Sequence, residues 1–327
     1  MTRIAIIGAG FSGLSLATLL KDKADITVFE KARGIGGRLS TRRGEPYAFD
    51  HGAQYFTARE EAFQEFLRPL LMKGLVRRWD AKYARYDSNR KISFTDWKLD
   101  EPRYVGTPGM NSPLKELAKQ HHVRLNCRVT KIERDSDWQL FDQEGNNLGQ
   151  FDWVISTAPT PQTGALFPDT FQYISEICHA EMYPCFALML GFEEALGWDF
   201  DAAHIDNSDL SWLAINSSKP QRPSKQTLVA HSSIGFAAEY AERRHEEVIR
   251  KLCLEIERVT GCYVGHSQHT ALHFWRYANS DRSIQYDSLI DQNLRLAACG
   301  DWCNGGRVEG AFMSAHRLAE HLESLIQ

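Results

Sequence analysis

Apolar residues in this chain fall into distinct rhythms, and their order predicts an architecture. Ile4-Ala5-Ile6-Ile7 is a continuous apolar run of strand length. The glycine-rich turn Gly8-Ala9-Gly10-Phe11-Ser12-Gly13 follows, then Leu14, Leu16, Ala17, Leu19 and Leu20 at helical density. A second run, Ile26-Thr27-Val28-Phe29, stops at Glu30. Unbroken runs of this kind suit strands of a parallel sheet covered on both faces. Residues 59–73 place Phe63, Phe66, Leu67, Leu70 and Leu71 at the spacing of one helix face. Over 76–97 the pattern turns strand-like, with aromatic alternation through Trp79, Tyr83 and Tyr86, then Ile92-Ser93-Phe94. A turn is expected at 106–110, a helix from Pro113, strands at 123–127 and 129–132, and a buried strand at 152–159 ending in a tight loop.

The middle of the chain changes character. Residues 185–192, 211–216, 227–232 and 270–277 read as strands with no helix between successive members, which predicts an antiparallel sheet. Residues 236–259 predict one long helix with Ala237, Tyr240, Val248, Leu252 and Ile256 inward and its many Glu and Arg residues in solvent. The end returns to the first rhythm. An apolar strand at 294–299 leads into Gly300-Asp301 and a glycine-rich stretch at 305–311. A helix then runs to the C-terminus with Phe312, Ala315, Leu318, Leu322 and Leu325 inward. This closing strand–turn–helix mirrors the opening one, so both helix N-termini are expected to point into the same ligand. The fold expected is α/β: a Rossmann-type nucleotide domain from 1–75, 104–170 and 285–327, with a mainly antiparallel β-sheet substrate domain from 76–103 and 171–284.

Composition narrows the partners. The 327 residues carry a net charge of −4 and an apolar fraction of 43%, which favours neither nucleic acid nor anionic membrane. No apolar run approaches the roughly 18–20 residues of a membrane span, and the first strand begins at once, without the pattern of a signal peptide. The seven cysteines, at 127, 178, 185, 253, 262, 299 and 303, form no CxxC motif and suit a reducing compartment. The cytoplasm is the expected location. Cys299 and Cys303 flank what reads as a cofactor loop and not a known redox motif, and no metal site is expected.

The opening turn carries the clearest chemistry. Its first glycine allows the tight turn, its second lets backbone approach a pyrophosphate, and its third lets helix and strand pack closely. Glu30 stands about twenty residues beyond Gly10, where a carboxylate accepts hydrogen bonds from a ribose diol. The run Lys31-Ala32-Arg33-Gly34-Ile35-Gly36-Gly37-Arg38 adds a second glycine-rich loop, in which Arg38 can offer a planar fork to phosphate oxygens. That run resembles the RxGGR element of FAD-binding amine oxidases and points to FAD as the cofactor.

Further motifs extend the resemblance: residues 49–57 (FDHGAQYFT), 273–278 (HFWRYA) and the closing CGDWCNGGRVEG. Together with the glycine fingerprint they resemble bacterial renalase-type flavoproteins, relatives of monoamine oxidase with the two-domain fold of p-hydroxybenzoate hydroxylase. Over 160–270 the resemblance rests on length and strand pattern. It implies that Gly8, Gly10, Gly13, Glu30, Arg38 and Asp301 meet the adenosine, pyrophosphate and ribityl parts of FAD. Phe11, Ser12, Lys31, Gly37, Gly300 and Ala311 complete the expected cofactor set. Val129 lies in the strand whose backbone meets adenine in such folds. Gly52, Ala53 and Gln54 correspond to the loop at the reactive edge of the flavin ring, and Arg307, Val308 and Glu309 open the helix whose positive end faces flavin N1 and O2. Residues 268–277 contain no cysteine where monoamine oxidases attach FAD, so non-covalent FAD is expected.

Such enzymes oxidise isomeric dihydronicotinamide dinucleotides to NAD(P)+ and pass the electrons to O2, giving H2O2. His273, Trp275, Arg276, Tyr277 and Gln54 are the expected pocket residues, with strand alternation setting His273, Trp275 and Tyr277 on one face and Arg276 on the other. Two other chemistries stay open at this point. One is an amine oxidase, which commonly needs an aromatic cage and often a lysine-held water, neither of which can be placed from the sequence. The other is a flavin reductase or hydroxylase using NAD(P)H, for which the chain shows one dinucleotide fingerprint only.

Overall fold

The computed structural model describes residues 1–95, 97, 101–281, 284 and 286–326. The expected domain joint at 284–285 and the strand pattern near 96–97 therefore fall partly outside the described residues. A six-stranded sheet runs in the order Leu289–Asp291, Leu296–Ala298, Trp153–Ser156, Arg3–Ile7, Asp25–Phe29, His122–Arg124. All neighbours are parallel except the first pair. The continuous apolar runs are explained by cover on both faces. Ile4, Ile6, Val28 and Ile155 pack under the helices Phe11–Leu19, Ser112–Ala118 and Val308–Glu323. Ala5, Phe29 and Val154 pack on the three-stranded sheet Val129–Arg134, Trp138–Asp142 and Asn147–Phe151, where the Phe29 and Phe151 rings meet edge to face at 5.7 Å. The helix Glu61–Met72 lies on Val308–Glu323 through Phe63 and Phe66 against Phe312, at 5.0 and 4.7 Å between ring centroids.

The second sheet has seven strands: His269–Ser280, Met182–Phe192, Gln226–Ser232, Leu210–Ile215, Ala202–Ile205, Tyr83–Tyr86 and Ile92–Thr95. It is antiparallel except where Ala202–Ile205 runs parallel to Tyr83–Tyr86. Strand alternation gives it two different faces. Phe186, Leu188, Leu190 and Leu213 pack on Val248, Leu252 and Ile256 of the helix His245–Thr260. Met189 and Val229 turn the other way, onto Tyr47 and Phe49 of the hairpin Thr41–Gly44/Tyr47–Asp50. That hairpin joins the two sheets.

Two expectations need correction. The single helix expected over 236–259 is two, Ile234–Glu239 and His245–Thr260. Between Tyr240 and Val248 the chain reads AERRHEE, with no large apolar residue to hold a helix against the sheet. Arg244 is extended at the second N-cap, and Glu246 and Glu247 in the first turn favour a fresh start there. At the C-terminus the helix stops at Glu323, so Leu325 lies outside it and is 37% exposed, while Ile326 takes the buried position.

Candidate functional site

A cavity of about 1860 Å³ is lined by residues of both sheets and the loops between them. A single small-molecule site commonly occupies about 300–1,000 Å³, so this one has room for two ligands. The expected residues Gly8, Gly10, Phe11, Ser12, Glu30, Lys31, Gly37, Arg38, Gly52, Ala53, Gln54, Val129, Asp301, Arg307, Val308, Glu309 and Ala311 line it on one side, and His273, Trp275, Arg276 and Tyr277 on the other. Gly13 and Gly300 do not border it.

The nucleotide half is built from loops that interlock. A Cβ on Gly13 would lie 2.0 Å from the Gly8 carbonyl oxygen, so this glycine lets the first helix start against the strand. A Cβ on Gly10 would meet nothing within 4 Å, because that position faces open cavity where a pyrophosphate fits. Glu30 is buried, and its two carboxylate oxygens accept from the amides of Ala9 (2.9 Å) and Ala32 (2.8 Å). Each oxygen keeps a lone pair for a ribose hydroxyl. The starts of the first and last helices are tied where the Ser12 hydroxyl donates to the Ala311 carbonyl at 2.9 Å. Arg38 directs its fork to the Asp301 carboxylate, with Nη1 at 2.9 Å, and also donates to the Ala278 carbonyl at 3.1 Å. Ala53 N donates to the Arg38 carbonyl at 2.9 Å, and a Cβ on Gly52 would lie 1.9 Å from that oxygen. The Glu309 carboxylate turns away from the cavity to the amides of Arg59 and Glu60 (2.8 Å to Glu60) at the start of helix Glu61–Met72. The backbone at the start of the last helix is what it leaves facing the cavity. Gly300 has a packing role: its amide donates to Ser314 Oγ at 3.0 Å, and a Cβ there would strike the Trp302 ring.

The other half is a wall of rings. His51 stacks on Trp275 at 5.0 Å, meets His273 edge-on at 4.9 Å, and His273 meets Trp275 at 4.2 Å. Trp275 Nε1 and His231 Nε2 both donate to the His51 carbonyl, at 2.9 and 3.2 Å. Burial pushes His51 and His231 down to about 4 and lowers His273, so all three rings are neutral at pH 7. The strand His269–Ser280 is the sheet edge and its pairing slips opposite Tyr183 and Cys185, so both of its faces border the cavity. Arg276 therefore borders it as well, its guanidinium 3.7 Å from Glu242. Beyond the wall lie Tyr55, Tyr83 and Trp212. Arg103 also lines this end, its guanidinium over the rings of Tyr55 (5.8 Å) and Trp97 (5.4 Å).

Sequence reasoning missed a fully buried charge cluster behind the 52–54 loop. Asp50 Oδ2 accepts from Arg222 Nε and Nη2 (3.0 and 2.6 Å) and lies 3.4 Å from Lys219 Nζ, while Oδ1 accepts from Thr41 (2.6 Å) and the Met110 amide (3.1 Å). Lys219 also donates to Gln54 Oε1 at 3.1 Å, and Gln54 Nε2 donates to the carbonyls of Asp50 (2.6 Å) and Gly52 (3.0 Å). Burial works to raise the Asp50 carboxyl, but Lys219, Arg222 and Thr41 hold it below its ordinary value. Burial brings the Lys219 ammonium down to about 8. Lys219 sits in a lysine–proline–glutamine–arginine stretch that reads as a surface turn, so no pattern signalled it. Burial likewise raises the Cys299 thiol to about 12 and Cys303 well above its usual value, which leaves both unreactive.

The fold and the paired cradle define a flavin-dependent oxidoreductase, and comparison with known proteins agrees. Residues 75–322 match the flavin containing amine oxidoreductase family and residues 6–70 the NAD(P)-binding Rossmann-like domain, so the chain belongs to the flavin containing amine oxidoreductases. Renalase of Mus musculus is 23% identical over 309 residues, covering 87% of each chain. A 4,4'-diapophytoene desaturase of Staphylococcus haemolyticus is 33% identical over 131 residues, 37% of this chain and 26% of its own. Among solved structures, an Exiguobacterium protein assigned as a protoporphyrinogen oxidase superposes with a TM-score of 0.78 and the cyclohexylamine oxidase of Brevibacterium oxydans with 0.76; each is 13% identical and covered over 99% of both chains. These structures share the fold. Within that family, the chain is similar to renalase over most of its length. The open space at Gly10, the half-satisfied Glu30 and the joined helix starts fit a flavin dinucleotide.

Proposed function

We propose that this chain holds FAD non-covalently and oxidises isomeric dihydronicotinamide dinucleotides to NAD(P)+, with O2 as the final acceptor and H2O2 as the second product. The observation that carries this reading is the charge of the ring-walled half. The acidic residues that border the cavity, Glu30, Asp301 and Glu309, all belong to the nucleotide half, and the Glu309 carboxylate is turned away to the Arg59 and Glu60 amides. Around the rings the charged lining residues are Arg42, Arg59, Arg103 and Arg276. Arg59 and Arg103 share the single carboxylate of Glu101 and Arg276 faces Glu242 at 3.7 Å, which leaves a net positive charge centred on Arg42. An anionic substrate is drawn to such a half, and an alkylammonium ion is repelled.

A bound flavin supplies the two-electron acceptor that O2 reoxidises. The chain's own residues need no general base, because loss of a hydride turns a dihydropyridine directly into an aromatic cation. Their work is placement. His51, His273 and Trp275 offer ring faces and edges against which a nicotinamide stacks, and the 52–54 loop, braced by Lys219 and Asp50, sets the depth of the stack. Being neutral, the histidines add no positive charge against the pyridinium product. Non-covalent attachment is supported by Cys185, the buried cysteine on the cavity, whose thiol burial raises to about 12, so that it supplies no thiolate. The seven cysteines are all unpaired, which supports a cytoplasmic location. The Tyr55, Tyr83 and Trp212 rings favour an amine oxidase as second reading. Against it, the Arg103 guanidinium already lies over the Tyr55 and Trp97 rings, held there by its ion pair with Glu101.

An aerobic assay separates the readings. Borohydride-reduced NAD, which contains the isomers, is expected to yield NAD+ and H2O2 in equal amounts and faster than primary amines or ordinary NADH. Faster turnover of amines would establish the amine oxidase, and faster turnover of NADH the reductase. Acid precipitation is expected to leave the yellow colour in the supernatant; colour in the pellet contradicts non-covalent binding.

A further inference from the structure

Of the eight arginines on the cavity, four are held in ion pairs. Arg38 is paired with Asp301, Arg59 and Arg103 with Glu101, and Arg276 with Glu242. Arg33 and Arg128 stand with Lys31 at the Glu30 end, and Arg307 caps the last helix, so these serve the nucleotide half. Arg42 differs. It is exposed, lines the cavity, and its side chain has no hydrogen bond or ion pair among the described residues.

Its place follows from the hairpin that joins the sheets. In the strand Thr41–Gly44, Arg42 pairs with Phe49, whose ring stacks on His269 at 5.3 Å. Gly44 lies so close to the edge strand that a Cβ would come within 2.5 Å of the His269 ring. Arg42 is thereby held along the strand that presents His269 and His273, and its charge acts on both rings and on His51. No carboxylate is available to it, since Glu30, Asp301 and Glu309 are all committed to other groups. A guanidinium maintained beside a neutral wall, without a partner, is a vacant anion site. The phosphates of the cofactor are met elsewhere, at Gly10 and the helix starts.

We propose that Arg42 anchors the pyrophosphate of the substrate, and so selects dinucleotides over phosphate-free nicotinamides. This rests on the dinucleotide reading above. A nicotinamide stacked by the 52–54 loop sends its ribose phosphate along the His273 side of the wall, toward the planar fork of Arg42, which matches a phosphate bidentately.

Two measurements on the flavin-loaded protein test it. In anaerobic mixing, the Kd ratio of the phosphate-free dihydronicotinamide riboside isomers to the dinucleotide isomers is expected to fall about 10- to 100-fold in Arg42→Met, the cost of a lost charged hydrogen bond. Arg42→Lys is expected to restore part of it. An unchanged ratio overturns the proposal. The second measurement needs no turnover: calorimetric binding of inorganic pyrophosphate is expected in the native protein and to be at least tenfold weaker in Arg42→Met. Pyrophosphate binding that is absent, or equal in both, overturns the anchor. If pyrophosphate binds through Arg42 while the dinucleotide isomers fail to reduce the flavin, the anion site stands and the substrate reading falls.

Discussion

Asp50 has no exposed surface, and neither do the two cations that face it. Removing one member of a buried ion pair strands the others in a low-dielectric interior, at a cost of about 3–5 kcal/mol. Asp50→Ala is therefore expected to lower the urea midpoint steeply, because it leaves Lys219 and Arg222 together without a counter-charge. Lys219→Met is expected to be much milder, since Arg222 still satisfies Asp50. Equal loss in the two variants would show that the cluster is not organised around its carboxylate. This cluster also marks a limit of reading residues from sequence. Glu30 was legible because its spacing from a glycine turn is set by local geometry. Lys219 and Asp50 are 169 positions apart, and nothing local ties them.

At the scale of elements, Gly10 and Gly13 serve opposite ends. A methyl at Gly13 collides with backbone, whereas one at Gly10 points into empty cavity. Gly13→Ala is expected to destabilise the flavin-free protein, with a clear fall in its unfolding midpoint. Gly10→Ala is expected to change flavin-free stability by no more than about 1 kcal/mol, the scale of an N-cap change, while markedly weakening flavin retention. Retention equal to native in Gly10→Ala would remove the phosphate cradle from that position. The parallel strands were legible because burial on both faces writes them as unbroken apolar runs. The long helix was misread because Tyr240 and Val248 share a helical phase across a gap that no apolar residue fills. Strand alternation set His273 and Trp275 on one face, where their rings meet at 4.2 Å, and Arg276 on the other, where its guanidinium lies over Phe274. It gave no sign that an edge strand borders the cavity with both faces.

Across the whole molecule, the two ends of the chain close one site. Arg38 reaches Asp301 and Ser12 reaches Ala311, contacts 263 and 299 residues apart in sequence. The mirrored strand–turn–helix units made that closure legible in advance. The charge of the opposite half was not, because arginines from four separate segments assemble there only in the fold. Asp301→Ala is expected to lower the flavin-to-protein ratio after gel filtration by freeing Arg38 and loosening the join, whereas His273→Ala is expected to keep the flavin and slow its reduction. Equal flavin loss in both would erase the division of the cavity into a cofactor half and a substrate half.

The central claim is that this second half takes an anionic dihydronicotinamide and delivers its hydride to the flavin. The most direct measurement is anaerobic stopped-flow absorbance of the flavin after mixing with borohydride-reduced NAD. The account predicts rapid bleaching that saturates with substrate concentration and outpaces ordinary NADH and simple amines. A flavin that stays yellow with the isomers while an amine bleaches it would contradict the account.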